Sequence, residues 1–152
     1  MSILELSEAP FLIEEAVQFF WSTWGNEENF MFYRDCILHS LDPANKLPKF
    51  YIVQSNQELI ASYALLTNDL ISRQDLMPWF ACLFVKETYR NQGIAGMLLT
   101  HGLEQARKKG FPMLYLSTDL QQFYEKKGWQ IFGTGYSVAD TPFQIYAHPT
   151  KF

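Results

Sequence analysis

Cysteine is nearly absent. The 152 residues contain two, Cys36 and Cys82, which make no disulfide framework. No Cys-x-x-Cys or His/Cys cluster accompanies them, so no metal site is expected. No apolar run approaches the 18 residues of a membrane span, and Met1 to Leu12 lacks the basic start and apolar core of a secretory signal. The expected location is therefore the cytoplasm, with no membrane partner. Positive charge is in short supply: 12 Lys and Arg against 16 Asp and Glu leave a formal net charge of -4. That balance argues against a nucleic-acid partner and fits a cationic one better. No Gly-Lys-Ser/Thr is present, which excludes a Walker loop, and the three-glycine dinucleotide pattern is not met. Internal repeats, linkers and low-complexity segments are missing as well.

What the chain has in quantity is aromatic residues, 13 Phe, 8 Tyr and 4 Trp. That number implies a large core or an aromatic-lined pocket. With 48% hydrophobic and 18% charged residues the chain reads as one globular domain, 1–152, able to bury roughly 70% of its unfolded surface. Ser2 to Leu6 reads as a short strand. Pro10 to Trp24 carries Leu12, Ile13, Ala16, Val17, Phe20 and Trp24 at helical spacing, and Gly25-Asn26 ends it. Asn29 to Ser40 predicts a second helix with Phe30, Tyr33, Ile37 and Leu41 on one stripe. Phe50 to Gln54 and Leu59 to Leu66 predict a hairpin turning at Ser55-Asn56-Gln57-Glu58. Asn68 to Pro78 is polar and has no period. Trp79 to Val85 is an apolar run that reads as a strand covered on both faces. Gly93 to Lys109 predicts a helix stopped by Gly110, Met113 to Ser117 a strand, and Leu120 to Lys127 a short helix closed by Gly128. Trp129 to Thr134 and Phe143 to Ala147 predict the last two strands. The order is β-α-α-β-β-β-α-β-α-β-β, in which the Leu83 and Met113 strands flank a crossover helix and should run parallel.

The densest signal runs from Trp79 to Gly96. A strand feeding a helix through a glycine-bearing turn leaves unpaired N-H groups at the helix start, where the dipole also favours an anion, phosphate above all. Leu83-Phe84-Val85 followed by Arg90-x-x-Gly93-x-Ala95 resembles motif A of the GCN5-related N-acetyltransferase (GNAT) family. Phe123-Tyr124-Glu125-Lys126-Lys127-Gly128-Trp129 is similar to the family's Phe-Tyr-x-Lys-x-Gly-Phe/Trp signature. The resemblance is close from about Trp79 to Trp129, and earlier residues match only in their order of elements.

The resemblance implies an α/β fold with a mixed, mostly antiparallel central sheet flanked by helices. It also implies a parallel strand pair that splays apart, the acyl-CoA N-acyltransferase fold. Acetyl-CoA would be the cosubstrate, its pantetheine arm held by backbone groups of Leu83, Phe84 and Val85. Its pyrophosphate would lie over Arg90, Asn91, Gln92, Gly93, Ile94, Ala95 and Gly96. An N-H of Leu83 or Phe84 would meet the acetyl oxygen, and Tyr124 would act as general acid toward the departing thiolate. Gly93 and Gly96 would otherwise serve tight helix packing, and Tyr124 would otherwise be a packed helix tyrosine with its hydroxyl at the surface. The chain departs from the family in two places. Ser117-Thr118-Asp119-Leu120 is a shorter loop with no Asn, and Trp79 to Val85 has no carboxylate to serve as base. Asp75, Asp69, Glu27 and Glu28 stand as substitutes, each also readable as an ordinary surface acid.

The expected partner is a small-molecule amine. Carboxylates of Gly25 to Asn29 and Asn68 to Asp75 stand beside Trp24, Phe30 and Trp79 in sequence, which favours a cation. Trp21, Trp24, Phe30 and Tyr33 either line the acceptor end, as the corresponding helices do in the family, or pack in the core. A protein or peptide amine, or a non-catalytic acyl-CoA-binding module, are the alternatives. A homodimer is compatible with this reading, and the oligomeric state stays open.

Overall fold

The computed structural model describes residues 1–120 and 122–151. Seven strands are joined in one sheet: β1 Ser2–Glu5, β2 Lys49–Ser55, β3 Glu58–Leu66, β4 Trp79–Val85, β5 Met113–Thr118, β6 Gln130–Tyr136 and β7 Pro142–Pro149. Their spatial order is β1-β2-β3-β4-β5-β7-β6. The sheet is mostly antiparallel, and β4 and β5 are its parallel pair. The flanking helices are α1 Ile13–Trp24, α2 Phe30–Leu38 and α3 Ile94–Lys108. Among the described residues no helix is long and apolar enough to cross a membrane. Backbone contacts divide the chain into two compact units: Met1–Ala64 with Cys82–Leu98, and Leu65–Ala81 with residues 99 onward.

In the first unit the core is built on β2 and β3, whose Lys49 to Val53 and Leu59 to Ala64 are buried throughout. Side chains buried on alternating sides of each strand explain why both strands read as unbroken apolar runs. Asn56 and Gln57 join them with φ of 50° and 66°, the left-handed pair that a two-residue hairpin turn requires. Tyr51 stacks on Tyr63 with ring centroids 4.4 Å apart. The apolar stripe of α1 buries Ala16, Val17 and Phe20, and Phe20 meets Phe50 edge to face at 5.2 Å. Burying a Phe of this kind contributes about 1.5–3 kcal/mol. Lys49 is 2% exposed; its ammonium donates to the carbonyls of Ser40 (3.1 Å) and Asp42 (3.0 Å) and lies 3.8 Å from the Glu5 carboxylate. Those bonds hold the chain entering β2 against the end of the α2 segment.

In the second unit β7 pairs on both sides, with β5 from Met113↔Pro149 to Thr118↔Gln144 and with β6. A register shift between Ile131 and Gly133 marks a bulge in β6. Ile71, Leu76, Trp79 and Ile145 form a buried cluster against which Tyr115 and Phe143 pack. The parallel pair is in register at Trp79↔Tyr115.

Two expectations fail. Trp79 to Ala81 are buried, but Cys82 to Val85 are half-buried, so β4 is covered over its first half alone. An apolar run records what a strand could bury and not what lies on it. The second failure is Leu120 to Lys127. Only Glu125–Lys127 forms a helical turn, and it is 3-10. Gln122 takes φ 69°, which an α-helix cannot hold, and the Thr118 hydroxyl accepts a bond from the Leu120 amide at 2.9 Å, turning the chain locally. Gln121 lies outside the described residues.

Candidate active site

In the first unit, β4 changes character at Cys82. That residue takes φ 56°, a conformation costly for a side chain other than Gly or Asn. Its carbonyl accepts a bond from the Ser62 hydroxyl at 3.0 Å. Cys82 is half-buried at this position. The Lys86 amide donates to Ile60 at 2.8 Å, so β4 remains tied to β3 at its far end while Leu83, Phe84 and Val85 stay partly uncovered.

From there the chain turns through Glu87–Tyr89, a single 3-10 turn. Arg90 Nε donates to the Val85 carbonyl at 2.9 Å, and its guanidinium carbon lies 5.9 Å from the Phe84 ring centre. Arg90 is therefore held to the strand end by one N-H and by its face, and its terminal nitrogens remain available to an anion. Asn91 and Gly93 take φ of 62° and 79°. A Cβ on Gly93 would meet nothing within 4 Å; the glycine is required by its dihedral angle and opens onto empty space. The Met97 amide donates to the Gly93 carbonyl at 3.1 Å, which makes Gly93 the cap. The amides of Ile94, Ala95 and Gly96 precede the first intrahelical acceptor and face the open end of α3. Ile94 is 4% exposed and anchors this end in the core. Three amides, the helix dipole and a guanidinium converge at one turn, which can hold a pyrophosphate.

The α1–α2 turn belongs to the same unit. Trp21 Nε1 donates to Asn26 O at 2.7 Å, the Asn26 amide to Asn29 Oδ1 at 2.7 Å, and the Glu28 amide to Asn26 Oδ1 at 2.8 Å. A Cβ on Gly25 would overlap the Trp21 side chain and the Asn29 amide oxygen, so the close approach admits only glycine. Trp21 meets Phe30 edge to face at 5.2 Å. Trp24 is 45% exposed, and Glu27 and Glu28 are exposed with no cation partner among the described residues. A cleft of about 650 Å³ runs along α1, lined by Glu15 and Phe19 with Glu58, Phe84 and Lys86. Phe19 contacts Phe84 edge to face at 5.7 Å; Glu58 is occupied by Lys86 at 3.4 Å and by the Tyr89 hydroxyl at 2.9 Å. Phe19 was not expected here; the available signal was an aromatic residue lying off the buried stripe of α1.

In the second unit Tyr124 is 7% exposed. Its ring meets Phe123 and Trp129 edge to face at 5.0 and 6.4 Å and lies 5.9 Å from the Tyr146 ring. The Tyr124 carbonyl accepts from the amides of Lys127 (3.0 Å) and Trp129 (3.1 Å), and Gly128 closes the turn at φ 88°. Among the described residues no protein group hydrogen-bonds its hydroxyl. Burial, with the Asp119 charge adding to it, pushes the phenol above its ordinary pKa, so it stays protonated at neutral pH and can donate.

The remaining acids separate. Asp75 receives Arg73 Nε and Nη2 at 2.9 and 2.8 Å, which holds its carboxyl below the usual range and makes it a poor base. Asp69 is half-buried, and burial pushes it up to about 7. Among the described residues no group of three or more His, Cys, Asp or Glu could hold a metal ion.

A family described as acetyltransferase (GNAT) domain matches residues 46–131, more than half of the chain. The chain belongs to the GNAT acetyltransferase family. Acetyl-CoA is accordingly its cosubstrate. Among solved GNAT-type structures it is similar to an aminoglycoside 6'-N-acetyltransferase from Enterococcus faecium (16% identity, TM-score 0.72, 100% of this chain and 98% of that one). A GNAT acetyltransferase from Staphylococcus aureus Mu50 aligns at 18% identity with TM-score 0.63, over 99% of both chains. One from Elizabethkingia anophelis with acetyl-CoA bound aligns at 21% identity with TM-score 0.55, over 76% and 80%. These likenesses establish a GNAT fold. No curated protein matches the sequence.

Proposed function

We propose that this GNAT protein transfers the acetyl group of acetyl-CoA to a primary amine of a small cationic acceptor by direct attack, with no covalent enzyme intermediate. The pyrophosphate rests on the amides of Ile94, Ala95 and Gly96 with Asn91, Gln92 and Gly93 beneath it and Arg90 alongside. The pantetheine arm follows the uncovered backbone of Leu83, Phe84 and Val85, whose N-H groups stabilise the tetrahedral oxyanion. Tyr124, buried and protonated, gives its proton to the leaving thiolate.

The observation that carries the acceptor reading is the α1–α2 turn. Glu27 and Glu28 stand exposed with no cation partner among the described residues, beside a Trp24 that is 45% exposed. Carboxylates attract an ammonium group, and an aromatic face adds about 0.5–2 kcal/mol of cation-π contact. The structural neighbours that acetylate aminoglycosides by name support a polycationic small molecule. A free-thiol assay for released CoA tests this with aminoglycosides, linear polyamines, a lysine-ended tripeptide, and neutral and anionic amines. Cationic small amines should react fastest. Equal turnover of neutral and anionic amines, or an unchanged KM for the best cation in the Glu27→Gln/Glu28→Gln double variant, would overturn the acceptor assignment.

A further inference from the structure

Charge is divided unevenly along the chain. Residues 1–45 carry eight Asp and Glu against a single Lys or Arg, Arg34, a net charge of -7; residues 46–152 carry eight against eleven Lys and Arg, a net charge of +3. The acidic stretch lies wholly in the first unit and contains α1 and α2. Its one guanidinium is already engaged, Arg34 Nη2 lying 2.9 Å from Glu14 Oε1. Glu8, Glu15 and Asp35 are exposed. Among the described residues no Lys or Arg ion-pairs with these three, and Asp35 has the His39 ring at 3.3 Å.

The same stretch leaves apolar side chains uncovered. Seven of the nine residues of α2, Phe30–Leu38, are apolar or aromatic, yet Ile37 alone is buried. A surface helix ordinarily turns its apolar stripe to a core; this one leaves Met31 65% and Phe32 50% exposed, and Phe11, in the 3-10 turn leading into α1, is 80% exposed. The two helices are antiparallel, since Trp21 meets Phe30 and Glu14 meets Arg34. Phe11 stands three residues before Glu14 and Met31 three before Arg34, so both neighbour one ion pair on the same two-helix surface. At roughly 150–250 Å² per aromatic side chain, the exposed parts of Phe11, Met31 and Phe32 amount to on the order of 300–400 Å², the size at which an apolar patch marks an interaction site.

Charge decides what can cover this patch. A second copy would set a stretch of net charge -7 against its equal, and an anionic lipid surface or a nucleic acid would be repelled in the same way. A small polycation would meet the carboxylates and leave the apolar side chains in water. A helix with Lys or Arg on one stripe and apolar residues on another satisfies both. We propose that the outer face of α1 and α2 docks a basic amphipathic segment of another polypeptide. Its Lys and Arg side chains lie against Glu8, Glu15 and Asp35, and its apolar side chains cover Phe11, Met31 and Phe32. This contact is separate from acetyl transfer and does not rest on it.

The test uses the full chain and a fluorescein-labelled peptide of about five helical turns, with Lys and Leu at helical spacing, read by anisotropy. Two control peptides carry Glu in place of Lys, or Ser in place of Leu. The Lys/Leu peptide should bind, and each control should bind at least about 10-fold more weakly. Met31→Ser/Phe32→Ser should weaken the Lys/Leu peptide at least about 10-fold, the worth of one large apolar side chain buried. Glu15→Lys/Asp35→Lys should weaken it roughly 3- to 10-fold at low salt and less at high salt. Both variants should keep the wild-type Kd for CoA. No measurable binding of the Lys/Leu peptide, equal binding of either control, or a Kd that neither variant moves overturns the proposal. A dimer in sedimentation equilibrium that Met31→Ser/Phe32→Ser dissociates overturns it in favour of a second copy. Binding to phosphatidylserine vesicles with none to the peptide overturns it in favour of a lipid surface. If a thermal melt shows the serine variant unfolded, the charge-reversal variant decides.

Discussion

Replacing Gly93 by alanine separates what the turn before α3 does for folding from what it does for the cofactor. The glycine holds φ 79°, where an L-residue costs about 1–2 kcal/mol. The added Cβ meets no protein atom within 4 Å, so no packing penalty adds to that strain. For a chain of this length the loss corresponds to a fall in Tm of roughly 2–8 °C. The Cβ projects into the space in which a pyrophosphate would approach the amides of Ile94, Ala95 and Gly96. Each tenfold of CoA affinity is about 1.4 kcal/mol, and displacement of the phosphate from even one charge-assisted bond at about 1.5–3 kcal/mol weakens binding by roughly 10-fold or more. Isothermal titration with CoA measures that loss and a thermal melt the strain. Asn91→Gly relaxes φ 62° two residues earlier and should raise Tm slightly. Gly93→Ala that melts lower but binds CoA as wild type does would show that the turn is strained yet is not the phosphate site. Gly93→Ala that melts unchanged would refute the strain argument itself.

Tyr124→Phe should lower kcat roughly 10²-fold with CoA affinity intact, since the ring contacts to Trp129 and Tyr146 survive; unchanged kcat in the thiol assay would remove the phenol from the reaction. Its raised pKa should keep the acid form active to at least the ordinary tyrosine value of about 10, read as the alkaline limit of kcat. Lys49→Ala should cost about 3–5 kcal/mol by leaving Glu5 and the buried Ser40 carbonyl without their cation, seen as a large fall in the urea midpoint. Asp69 holds its proton to about pH 7 in the folded chain against an ordinary 3.8. The folded state therefore binds more protons, and this contribution is complete below about pH 4 and lost as pH rises through 7. Asp69→Asn should match wild type in stability at pH 4 and exceed it at pH 8, by at most about 4 kcal/mol; parallel urea curves at the two pH values check the sign.

Local spacing was enough to read the order of elements. The helical stripe from Leu12 to Trp24 reports a period, as do the hairpin at Asn56-Gln57 and the glycine stops at Gly110 and Gly128, and period is a property of neighbouring residues. Arg90 to Gly96 was legible for the same reason, since a capped helix start is written within one turn of chain. The short helix at Leu120 to Lys127 failed because Gln122 in the left-handed region and the Thr118 hydroxyl bond outweighed a favourable composition. The sequence by itself determined that Trp79 to Val85 would be a strand and that a glycine-bearing turn would lead from it into a helix. Only the tertiary structure decided how much each residue is covered. Cys82 to Val85 lost their covering, Phe19 came to lie against Phe84, Asp75 was neutralised by Arg73 while Asp69 in the same loop was not, and Tyr124 was packed among three aromatic rings. Burial and charge pairing depend on which residues distant in the chain arrive beside a side chain, and it is burial, through desolvation, that moves a carboxyl or a phenol to the pKa at which it can exchange a proton.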